Sequence, residues 1–484
     1  MAGIGIDLHR VFKKQTIVSA LIGVGYSTIA TIAPMLVVMA ALLLMYFFLG
    51  YDSVLYFDRE LFACSILYIF IFALVTSSPF NSVISKYLTD KIFDEEIKDV
   101  LPCYYVGLVM NLTLSCLLAI PFYIYEVIVG GIAIYYVFTS FCCYVALCIS
   151  FYSMLYLSVT KDYKAISLFY TVGAVLAFAS AMVFVYIFDF PVTYAMLLGL
   201  TIGFTMIAAL QFSLIKHYFH ENSQNYTGVF EYFKGYWKLI LANTLYVLGL
   251  FIHNFVFWSA PTHLVVANTY VCNQPYDMAS CIAMFTNISA SVIFITQVEM
   301  HFSRRYKYYS EMIIGGRLKD IEQAKSRMFR LLSKQLLTLV QAQFSISVIL
   351  FLICMIALPK FGFSGLTLDI YPSLAAGYFV LFLMYSSIIF LYYFEDLDGA
   401  LWTSAAFALI TFIVSVLALR FAQPRWYGIG TFLGALCGWS IAYFRLRHCE
   451  RTIDIRVFCR GSVLKKKYQE MPSSIVYKRE QEGN

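Results

Sequence analysis

Polar side chains inside long apolar segments are the residues of this sequence that are best suited to do chemistry. Polar groups at membrane depth are costly and usually face a protein interior or a cavity. Amides and a neutral histidine both donate and accept hydrogen bonds, which suits the hydroxyl and acetamido groups of a sugar polymer. Hydrogen bonding between helices is the competing interpretation for each of them. The substrate-path candidates are Asn111, Glu126, Asn243, His253, Asn254, Asn287, Gln297, Gln341 and Gln343.

A second group of candidates is charged and lies near the inner end of an apolar segment. Glu299 precedes Arg304 and Arg305 and could pair with either arginine or with a partner chain. Basic residues continue through segment 303–334. This segment is predicted either to dock an acidic partner or an anionic substrate, or to serve membrane topology and bind anionic lipid.

The pair Asp396 and Asp398 resembles the metal-binding acidic pair of glycosyltransferases. It lies in a very short loop with no nucleotide-binding fold around it, so we expect no metal there. The sequence has no Gly-rich phosphate loop, zinc-ligand spacing or catalytic triad. Its hydrophilic segments are too short for a catalytic domain. The sequence therefore predicts a protein that is not an enzyme and has no cofactor.

The elements that position these residues are apolar helices. Hydrophobic residues make up 61% of the chain and charged residues 13%, against about half and about a quarter in globular proteins. We count twelve stretches that reach the ~20 residues a spanning helix needs. In chain order, these predicted spans run approximately over 16–49, 61–85, 101–125, 129–158, 163–188, 191–216, 236–259, 279–299, 335–358, 370–393, 397–420 and 424–444. Trp237 and Trp258, at the two ends of the seventh stretch, are predicted to mark the two membrane interfaces. The predicted fold class is an all-α polytopic membrane protein of about twelve transmembrane helices around a central cavity.

The basic residues indicate how these helices are oriented. All of the 34 Lys and Arg residues except Arg59, Lys360, Arg420 and Arg425 fall on one side of the predicted spans. Lys and Arg concentrate in cytoplasmic loops, so both termini are predicted to be cytoplasmic. The same bias explains the net charge of +6 without a nucleic-acid partner.

The pattern divides the chain into two six-helix halves with short additions. Many transporters are built as two such halves around a central site. The predicted segments are an amphipathic anchor at 1–15, a first half at 16–216, an inner linker at 217–235, a second half at 236–446 with a basic cytoplasmic loop at 303–334, and a basic cytoplasmic tail at 447–484. Cys272 and Cys281 flank the largest outer loop, where a disulfide and two reduced thiols both fit the sequence.

Several short motifs together resemble one known family. They are the opening Met1–Arg10, then Ser77–Phe80, Ser85–Lys91, Tyr276–Asp277, Val298–Phe302 with Tyr306 and Tyr309, and Tyr393–Leu401. These stretches are similar to the PelG family of exopolysaccharide exporters. That family is an outlying branch of the MOP flippase superfamily, which includes MATE multidrug antiporters and Wzx-like flippases of lipid-linked sugars. The motifs occur in order over most of the chain.

The resemblance implies export of a growing amino-sugar polymer of the Pel type, a biofilm component, across a bacterial cytoplasmic membrane. It also implies a soluble PelF-like glycosyltransferase partner and other Pel membrane components, including a cyclic-di-GMP sensor. Tyr276, Asp277, Glu299 and Asp396 are then candidates for motif or docking roles. The sequence departs from the family at His253–Asn254, where a more strongly charged pair is expected, and at Asp398, where a basic residue is commoner.

Two related functions stay open at this level. A basic cavity would favour a lipid-linked oligosaccharide flippase. A carboxylate near mid-membrane would favour an ion-coupled small-molecule antiporter. No predicted span has an acidic residue near its centre, which disfavours the antiporter.

Overall fold

The computed structural model describes residues 36–93, 96–160, 163–286, 300–360, 362–363 and 365–460. Nearly all of these residues are helical, and the described strands form one short β-hairpin. The predicted anchor 1–15, the first part of span one and most of span eight lie outside the described residues.

The first half contributes seven described helices, including the short linker helix at its end. Short 3-10 turns at Tyr51–Ser53 and Ile97–Asp99 precede two of them. The short helix Tyr226–Gly235 is capped at its start by Asn225, whose side chain accepts a hydrogen bond from the Gly228 backbone N–H. The helices are α1 (Leu36–Phe48), α2 (Tyr56–Phe93), α3 (Val100–Ile128), α4 (Ile134–Thr160), α5 (Tyr163–Tyr186), α6 (Val192–Tyr218) and α7 (Tyr226–Gly235).

The second half begins with a helix and a β-hairpin. The two strands are antiparallel, with Val265 opposite Val271. A 3-10 turn at Pro424–Trp426 precedes the last helix. The elements are α8 (Trp237–Phe257), β1 (Leu264–Val266), β2 (Tyr270–Cys272), α9 (Gln274–Thr286), α10 (Met300–Gly315), α11 (Leu318–Lys360), α12 (Gly365–Tyr393), α13 (Leu397–Phe421) and α14 (Ile429–Arg460).

Ten helices within the described ranges are long and apolar enough to cross a membrane. They coincide with predicted spans two to seven and nine to twelve, while α1 and α9 are the described parts of spans one and eight. The all-helical, multi-span fold class is confirmed. The count of twelve and the cytoplasmic termini stay predictions. We call the side that holds the α12–α13 turn the inner side, following the charge pattern, and the opposite side the outer side.

The segment 303–334, predicted as a basic cytoplasmic loop, is helical and consists of α10 and the start of α11. Among the many charged residues of this segment, apolar residues recur at helical spacing. Ile321, Ala324, Met328 and Leu332 are buried, and their spacing of three and four residues places them on one helix face. The predicted tail also begins as helix, since α14 continues to Arg460.

Buried hydrophobic side chains form two clusters. One contains Tyr104 and Tyr152 of the first half, and the other contains Phe390 and Phe407 of the second. The hairpin belongs by sequence to the second half, yet its Tyr270 packs in the first cluster. The division of the protein into two functional halves at 217–235 stays a prediction.

Glycines bring α5 and α6 close together. A Cβ at Gly203 would lie 2.6 Å from the backbone oxygen of Gly173 and 2.8 Å from the Cβ of Ala177. Small residues allow membrane helices to approach closely. Further packing of α6 on α4 and of α4 on α2 then fixes α2 where it faces α8 of the second half.

Candidate functional site

Helices α2 and α8 pack against each other and join the two halves. Toward the outer side, the Tyr68 ring stacks on Trp258 with centroids 4.9 Å apart. Deeper along the same helices, the Phe72 ring stacks on Phe255. The Asn243 amide then donates to the Ser78 carbonyl oxygen. Helix α8, which carries three of the predicted site residues, is therefore the second-half helix that meets α2.

A polar cluster joins α8 to the start of α9. The Asp277 carboxylate accepts hydrogen bonds from Asn254 Nδ2 at 2.7 Å and from Trp258 Nε1 at 3.0 Å. It also accepts one from the backbone N–H of Asn273 at 3.0 Å. Asp277 lies in the first turn of α9, where the helix dipole favours a negative charge. Three donors and the dipole thus compensate a buried carboxylate.

His253 forms the second connection between these helices. Its Nδ1 lies 2.8 Å from the Tyr276 hydroxyl. The consecutive residues His253 and Asn254 on α8 therefore meet the consecutive residues Tyr276 and Asp277 on α9. The two residues that the sequence indicated on α8 and the two in the motif on α9 are one cluster.

Helix α12 extends the cluster. The Tyr378 ring lies edge-on to His253 at 6.2 Å, and the Tyr378 hydroxyl is 3.0 Å from Ser280 Oγ. Within the described residues, Asn254 Oδ1 is buried without a hydrogen-bond partner. The cluster therefore holds buried aromatic rings and one unused amide acceptor, a group that can accept a hydrogen bond from a hydroxyl.

The hairpin lies against the outer end of α2. The Tyr68 hydroxyl donates to the Val271 carbonyl oxygen at 2.9 Å and accepts from the Val271 N–H at 3.1 Å. Ser65 Oγ lies 3.3 Å from the Tyr270 hydroxyl. We call these contacts the outer contact. Glu126 is buried at the outer end of α3, and neither of its carboxylate oxygens has a hydrogen-bond partner among the described residues.

Ion pairs join the two halves on the inner side. Lys86 Nζ of α2 lies 2.9 Å from Glu395 Oε1 in the α12–α13 turn and 5.3 Å above the Tyr236 ring. The Tyr232 hydroxyl of α7 donates to Asp90 at 2.7 Å. Burial, and then this hydrogen bond, raise the pKa of Tyr232 well above its ordinary value, so the hydroxyl remains a donor. We call the Lys86–Glu395 pair and its neighbours the inner contact.

The Asp396 and Asp398 pair has a structural explanation. Asp396 accepts two hydrogen bonds from Arg445, at 2.9 and 2.5 Å, and caps α13 through the Gly399 N–H. Asp398 Oδ1 lies 2.7 Å from Lys238 Nζ. Each carboxylate therefore has its own cation. Within the described ranges, no group of three or more His, Cys, Asp or Glu side chains is placed to hold a metal ion.

The other predicted residues are scattered. Asn111 is buried, and neither amide atom has a hydrogen-bond partner among the described residues. Gln343 is buried and its Nε2 donates to Ser347, whereas Gln341 is exposed. Arg304 and Arg305 are exposed on α10. Asn287, Gln297 and Glu299 lie outside the described residues.

Sequence reasoning missed residues that complete the cluster. Trp258 is 8% exposed and hydrogen-bonds Asp277, so its predicted place at a lipid interface is wrong, whereas Trp237 is 53% exposed. Nothing in the sequence singled out Asn273 or Tyr378 as site residues. Tyr276 and Asp277 were site candidates only because they belong to a family motif.

The sequence matches the model of the PelG family, described as "Putative exopolysaccharide Exporter (EPS-E)", over residues 1–458. No protein with a curated description matches it.

Solved structures with a similar fold include an outward-facing multidrug resistance MATE family transporter of the MOP superfamily. Its TM-score is 0.60 at 14% identity, over 89% of this chain and 96% of that one. An inward-facing transporter of the same description has a TM-score of 0.53 at 12% identity, over 82% and 92%. The Vibrio cholerae MATE transporter VcmN, as a mutant, has a TM-score of 0.58 at 15% identity, over 88% and 96%. At these identities the likeness shows the fold alone.

Proposed function

The chain belongs to the PelG family of exopolysaccharide exporters, and on that premise we propose that it exports a growing amino-sugar polymer of the Pel type across the bacterial cytoplasmic membrane. It is a multi-pass membrane transporter of the MOP fold. The observation that carries the finer proposal is the cluster of His253, Asn254, Tyr276 and Asp277 beside the α2–α8 contact. Its amide, imidazole and aromatic groups match the chemistry of a sugar chain better than that of a small ion.

The polymer path runs between the two halves, past α2 and α8. In the described structure α2 touches the hairpin at the outer contact and the α12–α13 turn at the inner contact, so a path between the halves requires one of these contacts to separate. Neighbours of the fold include one structure described as outward-facing and one as inward-facing. We propose that the two contacts open in turn, or that extension of the polymer by a bound synthase forces them apart.

A cytosolic glycosyltransferase of the PelF type is the proposed inner partner. The inner ends of α11 and α14 enclose a cleft of 1180 Å³ whose basic residues are Lys325, Arg330, Arg447 and Arg451. Its acidic residues are Glu322 and Glu450, so the cationic groups outnumber the anionic ones. Complementary charge steers protein association, and this cleft is the proposed docking surface for an acidic face of the enzyme.

Secretion from cells with matched membrane levels of each variant tests the transport proposal. Asn254→Ala is expected to lower secreted polymer by about tenfold, which corresponds to roughly 1.4 kcal/mol. Asn222→Ala, an exposed amide in the connection between α6 and α7, is the matched control and should leave secretion unchanged. Equal secretion by both variants would count against a polymer path beside the cluster.

Affinity purification in mild detergent tests the partner. We expect a glycosyltransferase to accompany the tagged wild-type protein and to be lost when Arg447 and Arg451 are both changed to Glu. Lys216 and Lys234 are exposed on the inner side outside the cleft, so the same change there is the control. If both double variants reduced recovery of the glycosyltransferase equally, this would contradict a specific docking surface.

An ion-coupled small-molecule antiporter is the second candidate, and one observation favours it. Glu126 is a fully buried carboxylate next to the hairpin, and such residues in membrane spans often carry protons or ions. Uptake of cationic dyes into vesicles driven by a pH gradient would support this candidate. Secretion of polymer without such uptake would support the exporter.

A further inference from the structure

Two thiols meet where the hairpin lies against α2 on the outer side. Cys64 lies in the outer part of α2 and Cys272 is the last residue of β2. They are 208 positions apart in the chain, yet their sulfur atoms are only 3.1 Å apart. Both side chains are buried, at 2% and 4% exposed. Packing of the hairpin on the first half creates this pair.

The surrounding contacts hold the two sulfur atoms in place. On one side of the pair, Tyr68 makes two hydrogen bonds with Val271. On the other side, Ser65 lies beside the Tyr270 hydroxyl. A disulfide has an S–S length of about 2.05 Å, so the atoms must approach by about 1 Å. Small side-chain rotations can supply that approach.

The structure also changes the choice of partner for Cys272. The sequence left open a disulfide between Cys272 and Cys281. Cys281 is exposed on α9, whereas Cys272 faces Cys64. The geometry therefore pairs Cys272 with a cysteine of the other half of the chain, which gives a bond at this place a mechanical consequence.

We propose that Cys64 and Cys272 form a disulfide that locks the outer contact, and that reduction of this bond allows the outer side to open. The charge pattern puts this pair on the non-cytoplasmic side of the membrane, where disulfides form and persist. The lock rests on the proposed function, because only a transporter that separates α2 from the hairpin is stopped by a bond between them.

The chemistry is thiol–disulfide exchange with a disulfide oxidant on the outer side, either a protein of the disulfide-exchange class or a small disulfide. One cysteine thiolate attacks the oxidant and forms a mixed disulfide, releasing one thiolate of the oxidant. The other cysteine thiolate attacks that mixed disulfide, forms the Cys64–Cys272 bond and releases the second thiolate. Two protons leave the cysteines, and the two electrons reduce the oxidant to two thiols.

The bond is tested on the full-length protein in intact cells. Acid quenching stops exchange, and free thiols are blocked with N-ethylmaleimide in denaturant. Disulfides are then reduced and labelled with PEG-maleimide. Wild-type protein is expected to gain two PEG groups, and mass spectrometry should find the Cys64 and Cys272 peptides linked. Cys64→Ser should gain none, while the control Cys281→Ser should still gain two. Wild-type protein without the linked peptides overturns the bond.

The lock is tested by export with and without TCEP, a reductant that acts from outside the cell. Secretion by wild-type cells is expected to rise at least about fivefold, within the range of known coupling energies. Secretion by Cys64→Ser cells should not respond. Loss of the cross-link with no rise in wild-type secretion overturns the lock. A protein that secretes no polymer in any state contradicts the proposed function and the lock with it, while the mass measurement still decides on the bond.

Discussion

Replacing Asp277 by Ala should destabilise the protein more than any change to an exposed carboxylate. The carboxylate accepts hydrogen bonds from Asn254, from Trp258 and from the Asn273 backbone N–H, and it is buried. A buried donor left without an acceptor costs about 1–3 kcal/mol. Even at the low end of this range, the loss in the free energy of unfolding is about 3 kcal/mol.

That loss converts into a measurable shift in thermal stability. For domains of about 150–250 residues, 1 kcal/mol moves Tm by about 2–4 °C. Each half of this chain is near that size, so Asp277→Ala should lower Tm by roughly 6 °C or more. The assay is size-exclusion chromatography of detergent-purified protein after heating, with the monodisperse fraction plotted against temperature.

The conservative variant and a control separate the causes. Asp277→Asn keeps one carbonyl oxygen but turns an amide N–H toward a donor, so its loss should be smaller, about 1–3 kcal/mol. Asp369 is exposed and lies 3.6 Å from Arg425, so Asp369→Ala should cost no more than about 1 kcal/mol. If Asp277→Ala were as stable as Asp369→Ala, the three hydrogen bonds would not be the source of stability.

Three further predictions concern the contacts between helices. Lys86→Glu should impair polymer secretion, and adding Glu395→Lys should restore it. The free energy of unfolding should change by less than about 1 kcal/mol, because the Lys86–Glu395 pair is partly exposed. Asp396→Asn should lower the free energy of unfolding by about 1–3 kcal/mol, measured by the same heating assay, because Arg445 loses its anion; an unchanged Tm would contradict this role. Gly203→Ala should cost about 1–3 kcal/mol because the new methyl group meets α5 backbone, and a normal yield of monodisperse protein would refute the close contact.

Much of the fold was predictable because hydropathy is a local property. Any segment of ~20 apolar residues is long enough to span a bilayer as a helix, whatever its neighbours are. The ten spanning helices follow from this rule. The rule gives no helix at 303–334, where the charged residues favoured a loop and the structure has helices. A helix outside the membrane needs only one apolar face, and that face was present at Ile321, Ala324, Met328 and Leu332.

The candidate site was half predictable. His253 and Asn254 were identifiable because polar groups are costly inside an apolar span. Their partners were not, since hydrogen bonds across helices depend on the rotation and depth of each helix. Trp258 shows the difference. Its position at the end of a span predicted a lipid interface, but the approach of α9 gives its indole N–H an acceptor in Asp277 and buries the ring.

By itself the sequence determined that this chain is a helical membrane protein, and its basic residues predicted which side faces the cytoplasm. The helices and their orientation follow from the free energy of transferring each side chain from water to the membrane, which depends mainly on the type of residue. Only the tertiary structure decided which helices touch. It placed α2 against α8, joined His253 and Asn254 to Tyr276 and Asp277, and brought Cys64 to Cys272. These contacts join residues on different helices and strands, and they depend on how those elements are rotated and packed against one another.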